Sequence, residues 1–201
     1  MNGHDTRHIA AIVLAAGASV RMGRPKALLR VEDRTFVRRI LDTLRDGGIA
    51  DPVVVLRPGQ PDAADEVTAG AGRVVLNPRA DDGQLSSLIA GLEAVDAPGV
   101  DAVLVTLVDV PLVRASTVRT LLTRAPVSPA PILRAAYQGR HGHPVIFKRE
   151  VFDALRAADP RLGAKAVLRA VHVEDVAVDD PAVVEDVDTP SDYEKLGRRY
   201  D

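Results

Sequence analysis

Four short apolar runs, separated by segments of helical period, occupy the first half of the chain and leave few folds open. Residues 9–14, 53–56, 73–76 and 102–107 are rich in Val, Ile and Leu with little polar alternation. That is the pattern of strands covered on both faces. After the first run, Thr35 can cap a helix in which Phe36, Val37, Ile40, Leu41 and Leu44 share one face. Arg38, Arg39, Asp42 and Arg45 fall on the other face, and Gly47-Gly48 supplies a stop. A short helix is predicted over residues 61–69. Leu85, Leu88, Ile89 and Leu92 repeat at the spacing of a helix face, and Val118, Leu121 and Leu122 mark another. This alternation predicts an α/β fold, a three-layer sandwich with a mostly parallel, Rossmann-like sheet between helices. The remainder is less regular. It suggests strands at 132–133 and 145–147 around a turn region at 138–143, and helices near 151–157, 163–170 and 191–197.

Length and composition agree with one domain over residues 1–201, of which 1–8 is expected to be a polar, flexible amino-terminal segment. Hydrophobic residues make up 46% of the chain, enough for a sizeable core. A net charge of −2 argues against a general nucleic-acid surface. The absence of cysteine removes disulfides, thiolate metal sites and cysteine nucleophiles together. No apolar run approaches the roughly 20 residues of a membrane-crossing helix, and residues 1–8 lead into no signal-peptide core. The expectation is a soluble, cytoplasmic protein with neither nucleic acid nor membrane as partner.

Ligands of open α/β sheets bind beyond the carboxyl ends of the strands, which directs attention to the loop after the first run. There Leu14-Ala15-Ala16-Gly17-Ala18-Ser19-Val20-Arg21-Met22-Gly23-Arg24-Pro25-Lys26 combines small residues with two fixed cations, Arg21 and Lys26. Small residues let backbone N–H groups approach an anion, and the cations offset charge that builds on a leaving pyrophosphate. The order is neither that of a P-loop nor that of a dinucleotide fold. A Gly-rich turn carrying two surface cations is the plain alternative.

The run Leu14-Ala15-Ala16-Gly17-x-Ser19-x-Arg21-Met22-Gly23-x-x-Lys26 resembles the signature loop of nucleotidyltransferases related to the molybdenum-cofactor guanylyl- and cytidylyltransferases. Further blocks are similar in the same order. They are Asn77-Pro78, residues 83–88 with Gly91-Leu92, Val108-Asp109-Val110-Pro111, Gly142-His143-Pro144-Val145 and Asp186-Val187-Asp188-Thr189-Pro190. The third block corresponds to a metal-binding segment usually written G-D-x-P, here with Val108 in place of the glycine.

The resemblance implies a nucleotide-diphospho-sugar-transferase-like fold and a set of roles. Leu14, Ala15, Ala16, Gly17, Ser19, Arg21, Lys26, Asn77, Gln84 and Ser87 would bind nucleotide, with Arg21, Lys26 and Asp109 catalytic. Asp109 and Asp188 would hold magnesium, with manganese as a substitute, since such ions take hard oxygen ligands. Asp186 competes with Asp188, and both acids stand before a helix start at Thr189-Pro190-Ser191-Asp192, where they could serve the helix instead. Asn77 and Asp82 likewise have strand-ending and capping readings. His143 and Lys165 would lie on the acceptor side. Lys165 stands where the family has arginine, keeping the charge but losing bidentate recognition.

The implied reaction is transfer of CMP from CTP to molybdopterin or molybdenum cofactor, releasing pyrophosphate. A phosphate nucleophile is ionised at neutral pH and needs no general base. Ala16, which would narrow the space beside the base, and Arg24-Pro25-Lys26-Ala27-Leu28-Leu29 resemble the cytidylyl branch. Three alternatives remain open at this level. One is a GTP-using guanylyltransferase, and another a cytidylyltransferase for a sugar or polyol phosphate. The third is a non-catalytic nucleotide- or cofactor-binding accessory protein for a molybdenum hydroxylase. Such a hydroxylase, or its chaperone, is the implied protein partner.

Overall fold

The computed structural model describes residues 8–19 and 22–197; of the flexible segment expected at 1–8, only His8 is among them. The first half of the chain runs β1 (His8–Leu14), a hairpin of β2 (Arg30–Val31) and β3 (Arg34–Thr35), α1 (Phe36–Gly47), β4 (Val53–Leu56), α2 (Pro61–Ala69), β5 (Arg73–Leu76), α3 (Gln84–Val95) and β6 (Val100–Leu107). The second half runs α4 (Ala115–Arg124), β7 (Ile132–Tyr137), β8 (Arg140–Lys148), α5 (Phe152–Arg156), α6 (Lys165–Ala170), β9 (Val173–Ala177) and α7 (Pro190–Gly197). Seven strands form one sheet in the order β5-β4-β1-β6-β8-β7-β9, with β8 antiparallel to its neighbours. The expected mostly parallel α/β sandwich is what the chain forms.

Residues alternate between two cores because both faces of the sheet are covered. Ala11 and Val13 of β1, with Val54 and Leu56 of β4, pack beneath α1, α2 and α4. Ile12 and Leu14, with Val53 and Val55, pack beneath α3, α5 and α6. A strand whose every residue meets a helix can be apolar throughout, which explains the uninterrupted runs. At α3 the approach is close. A Cβ built on Gly91 would lie 2.5 Å from Ile12 Cγ2 and 3.0 Å from Val55 Cγ2, so this helix needs a residue without a side chain there.

α1 follows the expected pattern. The Thr35 side chain accepts from Arg38 N at 3.4 Å, a cap typically contributing about 1 kcal/mol. Phe36, Val37, Ile40, Leu41 and Leu44 are buried, and Gly48 closes the helix at φ 111°.

Three features differ from the expectations. The turn region expected over 138–143 contracts to Gln138 and Gly139, both at positive φ (48° and 77°), so residues 140–143 belong to β8. Such a two-residue turn matches the twist of the paired strands. β9 and the β2–β3 hairpin carried no clear strand pattern. β5 lies at the sheet edge, which leaves Leu76 56% exposed.

Candidate active site

β1 has β4 on one side and β6 on the other, so successive connections leave it in opposite directions and open a crevice at its carboxyl end. A cavity of about 400 Å³ occupies this place. The loop after β1 forms one wall, α3 another, and the segments 107–109 and Asp188 a third. Two backbone bonds fix the loop's departure: Ala15 N donates to Val55 O at 2.9 Å, and Val108 N donates to Leu14 O at 3.1 Å. Ser19 then turns the chain at φ 50°, its carbonyl accepting from Met22 N and Gly23 N. Its hydroxyl accepts from Lys26 N at 3.2 Å, which anchors the lysine at the cavity.

Lys26 brings the two expected metal-binding acids together. Its Nζ donates to Asp188 Oδ1 at 2.5 Å and to Asp109 Oδ2 at 3.1 Å. The lysine side chain is 13% exposed, Asp109 19% and Asp188 37%. Burial opposes the charged ammonium, yet the hydrogen bond to Asp188 and the charges of both carboxylates outweigh it, so the Lys26 pKa stands above its ordinary value. The chain itself holds the acids side by side, because Val187 N donates to Asp109 O at 2.9 Å. Immediately afterwards Asp192 N donates to Thr189 Oγ1 and Thr189 N to Asp192 Oδ2, a reciprocal cap that pins the start of α7. The Thr189 hydroxyl also keeps the Asp192 carboxyl below its usual range.

Asp109 Oδ1 is buried and has no hydrogen-bond partner among the described residues. A carboxylate oxygen left in that state fits a site for a hard cation. Asp188 lines the cavity, whereas Asp186 is exposed and borders a separate hollow with Pro111, Leu112 and Lys195. Among the described residues no group of three or more His, Cys, Asp or Glu converges as a metal cage. Two carboxylates suit magnesium, which commonly completes its shell with water and substrate phosphate.

The remaining candidates divide. Leu14, Ala15, Ala16, Gly17, Ser19, Gln84 and Ser87 all line the cavity. Ala16 is 3% exposed and belongs to the core cluster with Leu14 and Leu85, so backbone more than methyl bounds the space there. Asn77 does not line the cavity. Its amide donates to Ser86 Oγ at 2.9 Å and Ser87 Oγ at 3.0 Å, and its Oδ1 accepts from Arg79 N at 2.9 Å. Asn77 therefore holds the β5–α3 connection and orients Ser87, which does reach the cavity. Asp82 sits in the turn before α3, where Gly83 occupies the cap position without a side-chain bond. Arg21 lies outside the described residues.

His143 and Lys165 line a neighbouring cavity of about 310 Å³, which shares Leu14, Gln84 and Leu107 with the first. His143 Nδ1 is buried without a partner among the described residues. Burial pushes the imidazole pKa down, against the opposing pull of the Val105 backbone and the charges of Asp109 and Asp186. Lys165 is exposed at the start of α6. One residue was not foreseen at all: Arg57, just past β4, whose Nε donates to the Ala16 carbonyl at 3.1 Å.

A mostly parallel sheet with a small-residue loop at its switch point, a lysine and two facing aspartates is the arrangement of a nucleotidyltransferase. More particularly, the chain belongs to the family described as the MobA-like NTP transferase domain, which matches residues 11–176. It is 31% identical to nicotine blue oxidoreductase of Paenarthrobacter nicotinovorans, over 98% of this chain and 100% of that protein. It is 36% identical to a probable molybdenum cofactor guanylyltransferase of Opitutus terrae, over 48% of this chain and 46% of that protein. The solved structure of Rv0371c from Mycobacterium tuberculosis in complex with manganese is similar at a TM-score of 0.78 and 30% identity, covering 94% of this chain and 98% of that one. No described helix is long and apolar enough to cross a membrane.

Proposed function

We propose that the protein transfers CMP from CTP to the terminal phosphate of molybdopterin or molybdenum cofactor in a magnesium-dependent reaction. One observation carries the chemistry: Lys26, Asp109 and Asp188 meet on the cavity beside β1, with a buried Asp109 oxygen left unpartnered among the described residues. Asp109 and Asp188 would hold the cation, for which the manganese bound by the mycobacterial relative is supporting precedent. A divalent ion supplies charge neutralisation on the phosphates. Lys26 and Arg21 offset charge on the departing pyrophosphate, and the N–H groups of the loop after β1 order the triphosphate. An acceptor phosphate oxygen forms the new bond to the α-phosphorus as the bond to the bridging oxygen breaks. Pyrophosphate departs with that electron pair. Positioning and electrostatics supply the rate, with no covalent enzyme intermediate.

The cavity bearing His143 and Lys165 adjoins the nucleotide cavity, which supports an acceptor there. Support for cytidine comes from the stretch Arg24-Pro25-Lys26-Ala27 more than from the Ala16 methyl, which faces the core. The guanylyltransferase relative makes GTP the competing donor. Pyrophosphate release with molybdopterin, compared between CTP and GTP, tests the choice: a clear CTP preference agrees, and a GTP preference refutes cytidine.

The name of the full-length Paenarthrobacter relative raises a second reading, an oxidoreductase. The loop after β1 lacks the G-x-G-x-x-G order of a dinucleotide fold, whereas Lys26, Asp109 and Asp188 favour phosphate chemistry. Reduction of nicotine blue by the purified protein, without any nucleotidyl transfer, would favour the oxidoreductase.

A further inference from the structure

Arg57 stands just past β4 at the carboxyl edge of the sheet. Its Nε donates to Ala16 O at 3.1 Å, and its Nη2 donates to Asp81 Oδ1 at 2.8 Å. Ala16 belongs to the loop after β1, and Asp81 to the turn that feeds α3. One guanidinium thus joins two walls of the nucleotide cavity while standing outside its lining.

The orientation of one peptide unit follows from this contact. In a trans peptide the carbonyl and the following N–H point in opposite directions. Among the described residues the cis bond is His143–Pro144, so Ala16–Gly17 is trans. With the Ala16 carbonyl drawn toward Arg57, outside the lining, the N–H of Gly17 is turned the other way. Gly17 is exposed on the cavity wall, and no residue among those described accepts from its N–H. Nothing lies within 4 Å of where a Gly17 Cβ would stand, so no packing contact at that point holds the residue, and glycine itself tolerates more than one backbone orientation. The reversed orientation would present a carbonyl oxygen where an anion must bind.

We propose that Arg57 is a positioning residue that locks the Ala16–Gly17 peptide with its N–H directed at the triphosphate. A preorganised donor of this kind acts without reorganisation when phosphate charge develops. The Nε bond to Ala16 carries the role. The bond to Asp81, whose side chain is 87% exposed, contributes little by itself. The inference rests on the nucleotidyltransferase reading, and not on the identity of the base or acceptor.

Calorimetric binding of magnesium-CTP and magnesium-GTP to wild type, Arg57→Met and Asp81→Asn tests it, alongside melting curves and the Gly17 amide resonance. Arg57→Met should weaken binding of the preferred nucleotide about tenfold to a hundredfold, in the range of losing one hydrogen bond to a charged group. Its melting temperature should stay near wild type, and millimolar guanidinium should restore binding without improving the wild type. Asp81→Asn should bind within about threefold of wild type, as expected for loss of an exposed pair. The Gly17 amide of the wild type should shift when nucleotide is added. Unweakened binding by Arg57→Met, or a Gly17 amide unmoved by nucleotide, would overturn the role of Arg57 while leaving the enzyme class intact. A wild type that binds neither nucleotide would overturn both.

Discussion

The ammonium of Lys26 lies 2.5 Å from the carboxylate of Asp188, a residue 162 positions along the chain, and reaches Asp109 from the same point. It therefore sits on the carboxylates proposed to bind the metal. A cation already paired with both acids competes with an incoming one, and a triphosphate that draws the lysine away removes the competition. Lys26→Met should bind manganese at least about tenfold more tightly than wild type without nucleotide, equivalent to about 1.4 kcal/mol. The same variant should be inactive in transfer. Paramagnetic titration of free manganese reads the affinity, and an unchanged value would contradict the competition.

Asp188 and Asp186 are two residues apart and face different hollows. Asp188→Asn should lower transfer on the order of a hundredfold, as expected when a positioned reacting group is misplaced. Asp186→Asn should stay within about threefold of wild type, because its carboxylate is exposed to solvent. Steady-state rates at saturating magnesium decide this, and the reverse ranking would move the ligand to Asp186.

The Asn77 side chain makes three hydrogen bonds and is buried, so its loss should be felt first in stability. Asn77→Ala should cost about 1–3 kcal/mol in urea unfolding, the penalty for leaving buried partners unsatisfied. It should raise KM for nucleotide through a loosened Ser87 while changing kcat less. A stable variant whose nucleotide affinity alone has collapsed would mean that Asn77 touches the nucleotide directly.

His143 has its pKa pushed below the ordinary 6.5, chiefly by burial. The unfolded chain then takes up the proton first as pH falls. The stability contribution is complete above pH 6.5 and is lost as pH descends from there through the folded pKa. Urea unfolding across this range should show a decline for wild type that is smaller in His143→Gln. Parallel profiles for the two proteins would contradict it.

The parts of the fold that announced themselves were those with strong periodicity. Residues 9–14 and the face from Phe36 to Leu44 could hardly be read otherwise. β9 was hidden because it pairs at the outer edge of the sheet and carries Glu174 and Asp175, whose partners Arg124, Ser128 and Arg134 come from distant segments. β2 and β3 have two residues each, too few for a period to show. The resemblance supplied candidate residues, of which Lys26, Asp109 and Asp188 meet at one cavity while Asn77 stands behind its wall, but their assembly was not legible. The contact between Val187 N and Asp109 O, which brings the 186–188 segment beside Asp109, links backbone atoms and leaves no trace in residue type. Arg57 escaped notice for the same reason, since its partner at Ala16 is a carbonyl.

Transfer of α-labelled CMP from CTP to molybdopterin, with wild type beside Asp109→Ala, tests the central claim most directly. Wild type should form labelled dinucleotide and one pyrophosphate per transfer only when magnesium is present. Asp109→Ala should fold and form neither product. Equal product formation by the two proteins, or by wild type after complete removal of divalent metal, would contradict the account.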